Sequence, residues 1–259
     1  MKRKKPNIVF WDLETLPNLD RVMKNLPGMS AYPGLTLKAS HNSIICMGYK
    51  KLGDKKARCI NAWDFKGWKK DVNDDYDICK ASYDILKDAD GMVTHNGRRF
   101  DVKFLNSRLA WHGLPTLPKI PHVDTCVVAK SNLFLFNNRL NTVAEHLGCE
   151  LKMENGGWEL WSKVLKRNGS AMKTMTKYCK QDVEVLEQVF LKLRPFAKNI
   201  PNHNLFFGDP KTNFVCPSCG TDSLIKHGTR VSKTAVRQRY LCTSCGSTCS
   251  TDKKDMKPR

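Results

Sequence analysis

The chain has 259 residues, 41% hydrophobic and 27% charged, with 44 Lys and Arg against 25 Asp and Glu, for a net charge of +19. This composition excludes a disordered chain, and no apolar run approaches the ~18–20 residues of a spanning helix. The length suits one large domain plus a small module, and the positive excess favours a polyanionic partner, nucleic acid or an anionic membrane surface.

Taken from the N-terminus, the basic start Met1–Pro6 leads into only Ile8-Val9-Phe10-Trp11 before Asp12. That is too short for a signal-peptide core, so the expectation is an intracellular, cytoplasmic protein, with a nucleoid or viral replication setting compatible and no membrane partner. Asn7–Glu14, Ser43–Lys50 and Ala57–Trp63 read as strands, and Asp75–Lys87 has helical spacing. Gly91–His95 is a short strand, Arg99–His112 a helix, and Val123-Asp124 ends a further strand. Asn141–Leu147 is a helix stopped by Gly148, and Ala171–Leu193 is the longest helix, ended by Pro195. Three early strands without an intervening helix predict an antiparallel meander, followed by α/β alternation. The expected fold class is α/β, a mixed sheet flanked by helices over residues 1–195. Two segments look irregular. Thr15–His41 carries Pro17, Pro27-Gly28 and Pro33-Gly34, and its Arg21, Lys24 and Lys38 are expected to face phosphates beside the site. Residues 196–213 read as a linker, and 214–259 as a small β domain with a basic tail.

The long helix carries the first anomaly. At 100° per residue, Met175, Cys179, Val183, Leu186, Val189, Phe190 and Leu193 share one arc. Lys177, Lys180, Gln181, Glu184, Glu187 and Gln188 occupy the other. Asp182 falls inside the apolar arc, with Tyr178 on its edge one turn earlier. An aspartate facing a core is costly unless it is paired with a cation or ligates a metal. In the first strand, Asp12 and Glu14 project from one face, roughly 6.5–7 Å apart. The bland alternative is a strand end with both acids solvated. Asp101 follows a strand and opens a helix, where it could serve as a cap, but it shares a face with Phe104, Leu105 and Arg108. Together the acids run Asp, Glu, Asp, Asp, the inventory that two hard divalent cations need for in-line phosphoryl transfer.

The segments Phe10-Trp11-Asp12-Leu13-Glu14-Thr15, His95-Asn96-Gly97-Arg98-Arg99-Phe100-Asp101 and Tyr178-Cys179-Lys180-Gln181-Asp182-Val183 resemble the three motifs of the DEDD, or DnaQ-like, 3′–5′ exonucleases with an RNase H-like fold. Tyr178, four residues before Asp182, matches the tyrosine (DEDDy) variant. His122-Val123-Asp124-Thr125 and Leu140–Gly148 resemble the predicted RNase H-like exonuclease branch. The resemblance implies that Asp12 bridges two Mg²⁺ or Mn²⁺ ions. It implies that Glu14 and Asp182 complete the site of the nucleophilic water and that Asp101 holds the second metal. Tyr178 would orient that water, and Asn96 would shape the turn near the bound strand. Asp124 reads as a structural strand-end acid in preference to an additional outer-shell carboxylate.

Eleven cysteines are present. Four form Cys216-Pro217-Ser218-Cys219-Gly220 and Cys242-Thr243-Ser244-Cys245-Gly246; the other seven run singly. Two Cys-x-x-Cys-Gly knuckles separated by 22 residues predict one structural zinc in a ribbon of two or three strands, with Cys249 and His227 as possible substitute ligands. Lys211–Arg259 holds ten Lys or Arg and three Asp or Glu, a net +7. Arg237 and Arg239 alternate along a predicted strand, which favours a nucleic-acid contact over a protein one.

The sequence therefore predicts a 3′–5′ exonuclease acting on nucleic acid, with single-stranded or 3′-ended DNA favoured, and with a polymerase or another replication or repair protein as a potential partner. The rival readings are a structure-specific endonuclease or ribonuclease on the same fold, and a non-catalytic nucleic-acid-binding adaptor.

Overall fold

The computed structural model describes residues 6–16, 43–151, 157–207 and 214–251. The expected loop 15–41 therefore lies outside the described residues beyond Leu16. Five strands form a mixed sheet: β1 (Ile8–Thr15), β2 (Ile44–Lys51), β3 (Arg58–Asn61), β4 (Gly91–Thr94) and β5 (His122–Asp124), in the order β3-β2-β1-β4-β5. The meander expected from the sequence is present, since β1/β2 and β2/β3 are antiparallel. β4 and β5 then add in parallel on the other side of β1. The helices are α1 (Lys66–Lys70), α2 (Tyr76–Leu86), α3 (Asp101–Trp111), α4 (Thr125–Asn132), α5 (Leu140–His146), α6 (Trp158–Leu165), α7 (Gly169–Leu193) and α8 (Asn204–Phe207).

Strand periodicity sorts β1 between two cores. Val9, Trp11 and Leu13 join a buried cluster with Trp68, Ile78, Leu86, Leu105 and Leu109. Ile8 and Phe10 point the other way, into a cluster with Val143, Leu186, Val189 and Phe190. The Phe10 ring meets that of Phe190 edge-on at 5.3 Å. Asp12 and Glu14 continue this second face, towards α7.

The long helix begins on a side-chain cap, Asn168 accepting a hydrogen bond from the Ala171 amide at 2.9 Å. Its middle rests on β2 at Gly48, the residue opposite Asp12 in the β1/β2 ladder. A Cβ on Gly48 would stand 2.6 Å from the Cys179 carbonyl and 2.9 Å from Val183 Cγ2. The fit admits no side chain there.

Two features go beyond the sequence reading. Glu184 and Glu187, on the polar arc of α7, are half-buried and bind the buried Lys50 of β2, Glu187 at 2.7 Å. Glu184 also accepts from the Ala57 amide. The helix is gripped on a wider face than its apolar residues mark. The chain after Val123-Asp124 is helical at once. Asp124 accepts from the amides of Cys126 and Val127 and so caps α4, whose β-branched residues hide the helical pattern.

In the C-terminal region β6 (Leu224–Val231), β7 (Val236–Cys242) and β8 (Thr248–Ser250) form an antiparallel sheet, which matches the expected ribbon. The segment before it is tied to it. The amide and the Nδ1 of His203 both meet the Pro217 carbonyl, at 2.8 and 2.9 Å, and Asn204 Oδ1 accepts from the Val215 amide at 2.8 Å. Among the described residues no helix is long and apolar enough to cross a membrane.

Candidate active site and metal centres

Three of the expected carboxylates converge. Asp12 and Glu14 from β1 and Asp182 from α7 place ligand oxygens within 4.8 Å of one another. Asp182 is 1% exposed and Glu14 8%. Like charges this close raise one another's cost of ionising, and a divalent cation among them reverses that penalty. The alternative of solvated acids at a strand end does not hold for Glu14.

The fourth acid stands beside them, outside that 4.8 Å group. Asp101, 3% exposed, opens α3, and its Oδ1 accepts from the Leu13 amide at 3.1 Å. The reason lies in the sheet. β4 pairs with β1 only as far as Phe10, so the Leu13 amide is left beyond the ladder, between the two acids of β1. Asp101 takes it. The carboxylate is thus turned to β1.

Tyr178 is buried one turn before Asp182, and its ring packs edge-on against Trp161 of α6 at 6.4 Å. That helix was missed in sequence, although Trp158, Trp161 and Leu165 recur at helical spacing.

Asn96 adopts a left-handed φ of 65° in the turn between β4 and α3. Asp124 holds this turn as well, accepting from the amides of Asn96 at 2.8 Å and Arg98 at 3.0 Å. The acid read as structural therefore caps a helix and fixes the second motif together. Next to it, His122 shares a 2.8 Å hydrogen bond with Thr94 Oγ1. Burial, and then the charge of Arg98, push His122 down to about 4. The unfolded chain takes up this proton below about 6.5, whereas the folded chain waits until about 4, so stability falls as the pH is lowered across that window. Denaturant titrations from pH 4 to 7 are expected to show a His122→Gln variant losing less stability than the parent, by up to about 1.4 kcal/mol per pH unit. Parallel curves would refute it.

Sequence reading also missed Phe134 and Phe136. Both are fully exposed on the segment between α4 and α5. That segment is pinned next to the second motif, where His95 Nε2 donates to the Asn138 carbonyl at 2.8 Å. The signal was available in the alternation Leu133-Phe134-Leu135-Phe136.

At the C-terminal end, the sulfurs of Cys216, Cys219, Cys242 and Cys245 lie within 4.8 Å of one another. Cys216 and Cys245 are 3.7 Å apart, as are Cys219 and Cys242. The knuckles repeat one backbone pattern. Gly220 N–H donates to the Cys216 carbonyl and Gly246 N–H to the Cys242 carbonyl, with φ of 79° and 74° at the glycines. Four thiols so placed fit tetrahedral zinc, and Cys249 and His227 stand outside the group. On β7, Arg239 Nε donates to the His227 carbonyl at 2.8 Å, and Arg237 faces Arg230 in the ladder. Arg239 is thus partly engaged within the ribbon.

Residues 34–194 match the family RNase_H_2, described as RNase_H superfamily. The chain belongs to this superfamily. The matched span begins after β1, the strand that carries Asp12 and Glu14 and joins the span as its central strand. Among solved structures, the family B DNA polymerase from the hyperthermophilic archaeon Pyrobaculum calidifontis is similar, with a TM-score of 0.53 and 18% identity over 74% of this chain. The chain spans 25% of the polymerase's length, and at this identity the likeness speaks for the fold. None of the curated proteins matches the chain significantly.

Proposed function

We propose that the protein is a metal-dependent nuclease that removes nucleotides from the 3′ end of nucleic acid, with DNA favoured. The convergence of Asp12, Glu14 and Asp182 from two elements of an RNase H fold carries this reading. Two Mg²⁺ or Mn²⁺ ions would supply an activated water and charge neutralisation at the leaving oxygen. The chain's own residues then do the following. Asp12 and Glu14, fixed by the β1/β2 ladder, and Asp182, fixed by α7, would hold the cations. Asp101, whose Oδ1 accepts from the Leu13 amide, would help hold the second cation. Tyr178, whose ring packs edge-on against Trp161, would orient the attacking water. Asn96 shapes the turn beside the strand.

The ring faces of Phe134 and Phe136 suit stacking of unpaired bases, which contributes roughly 1–3 kcal/mol per base. The Phe134→Ala, Phe136→Ala double variant is expected to raise KM for single-stranded substrate about tenfold or more with kcat nearly kept; an unchanged KM would exclude this role. The zinc ribbon adds affinity through Arg237, Arg239 and the basic tail, and a replication or repair polymerase is the partner class that suits such an activity.

The deciding experiment compares 3′-labelled, 5′-labelled and circular single strands of DNA and RNA with Mg²⁺ or Mn²⁺. Release of mononucleotides from the 3′ end and intact circles support the proposal. Cleaved circles would replace it with an endonuclease, and intact substrates under all conditions with a binding adaptor.

A further inference from the structure

Three of the six cysteines outside the ribbon meet in space, although they are far apart in sequence. Cys46 of β2, Cys59 of β3 and Cys179 of α7 hold their sulfurs within 4.8 Å of one another. The fold makes this meeting. Cys46 pairs with Asn61 and Cys59 with Gly48, so the two cysteines sit diagonally on the β2/β3 ladder. The close approach of α7 at Gly48 brings in the third: Cys179 Sγ stands 3.0 Å from where a Gly48 Cβ would be. Cys46 and Cys179 are fully buried, while Cys59 is partly exposed and opens the group to solvent. All three are free thiols.

A second mixed group, Asp75, Cys79 and His112, has a different meaning. Asp75 is already saturated by Arg108, His112 and the Ile44 amide, so that group is a buried ion-pair node. The three thiols are placed differently: Cys59 Sγ meets two acceptors, Asn61 Oδ1 at 3.6 Å and the Ile60 carbonyl at 3.5 Å, and the nearby charge of Lys180 acts on it.

We propose that Cys46, Cys59 and Cys179 form a three-thiolate site for a thiophilic d¹⁰ cation of the Zn²⁺, Cd²⁺ or Cu⁺ class. A trigonal cation with metal–sulfur bonds of about 2.3 Å places its sulfurs about 4 Å apart, close to the spacing already present. Soft thiolates select such ions over the hard cations that suit the carboxylates. Each S–H gives its proton to solvent as the metal–sulfur bond forms, so uptake strengthens with pH. The bound ion ties α7 to β2 and β3. It lies next in sequence to Tyr178 and directly across the ladder from Glu14, which pairs with Cys46. The site is independent of the nuclease reading and stands or falls on metal binding.

The test uses the full chain, reduced, in excess Mg²⁺ to occupy the carboxylates, with Cd²⁺ as the probe. Cadmium is counted by elemental analysis, and its sulfur ligation by thiolate-to-cadmium charge-transfer absorption, which carboxylate-bound cadmium does not give. The parent is expected to bind two thiolate-ligated ions per chain, one in the ribbon and one here. Cys59→Ser, at the exposed edge where folding is least at risk, and Cys46→Ala should each bind one fewer, and Cys149→Ser should match the parent. Cadmium should also raise the Tm of the parent more than that of Cys59→Ser, because an ion bound only to the folded state stabilises it by mass action. A parent that holds only the ribbon ion, or cysteine variants that bind as much sulfur-ligated cadmium as the parent, overturns the proposal.

Discussion

Asp182→Ala and Asp12→Ala are each expected to lower the cleavage rate by about 10³-fold or more, corresponding to the several kcal/mol of charge stabilisation that a displaced cation withdraws. Binding of nucleic acid should be largely retained, because the basic ribbon and the exposed rings are untouched. The structure adds a thermodynamic signature. Asp182 lies within 4.8 Å of the Asp12 and Glu14 carboxylates, so the Tm of the alanine variant in metal-free buffer reads what this acid contributes to the fold apart from the metal. Tyr178→Phe keeps the ring contact with Trp161 and loses only the hydroxyl, so it should cost less, about 10²-fold. Single-turnover rates and thermal melts measured side by side test all of this. Normal turnover by Asp182→Ala would remove the acid from the site, and a sharply lowered Tm would recast it as a structural acid.

The second large effect concerns the ribbon. Zinc in such a module supplies roughly 10–16 kcal/mol of apparent binding energy, and a ~40-residue segment has too little core to fold alone. Cys216→Ser or Cys242→Ser should therefore unfold the chain from about residue 214 onward. The hydrogen bonds from His203 and Val215 extend the effect backwards, because Pro201–Phe207 loses the first knuckle as its partner. The boundary of unfolding is expected near Pro201, with the five-stranded sheet intact. Hydrogen exchange along the chain, with zinc content measured in parallel, reads it directly. Protection of the β6/β7 ladder without zinc would refute the assignment.

The strongly periodic parts of the fold were legible. The alternation in β1 and the arc of α7 located Asp12, Glu14 and Asp182 before any coordinates, since a carboxylate inside an apolar face is conspicuous against either period. The knuckle spacing did the same for the ribbon. Other features depend on what packs against what. Glu184 and Glu187 fell on the polar arc of α7, and nothing in that helix itself shows that Lys50 will be buried opposite them. Asp101 could be placed near a helix start, but its turn towards β1 follows from where β4 stops pairing, which is a property of the sheet. The meeting of Cys46, Cys59 and Cys179 combines a strand register with a helix docking, and single cysteines far apart in sequence carry neither.

Gly48 gives the site a gauge. It faces Asp12 on one side and carries the Cys179–Val183 stretch of α7 on the other, so the missing methyl group sets how far Asp182 stands from β1. An alanine there works as a shim under the helix. With a backbone carbonyl only 2.6 Å from its Cβ, the helix has to lift by some tenths of an ångström or more, and the carboxylate gap widens with it. Mg²⁺ tolerates such a change poorly, because it demands near-ideal octahedral geometry at about 2.0–2.1 Å. In Gly48→Ala the preference between Mg²⁺ and the larger Mn²⁺ in a cleavage assay should therefore shift towards Mn²⁺, so that a single methyl group across the ladder from Asp12 would tune which ion the proposed site accepts.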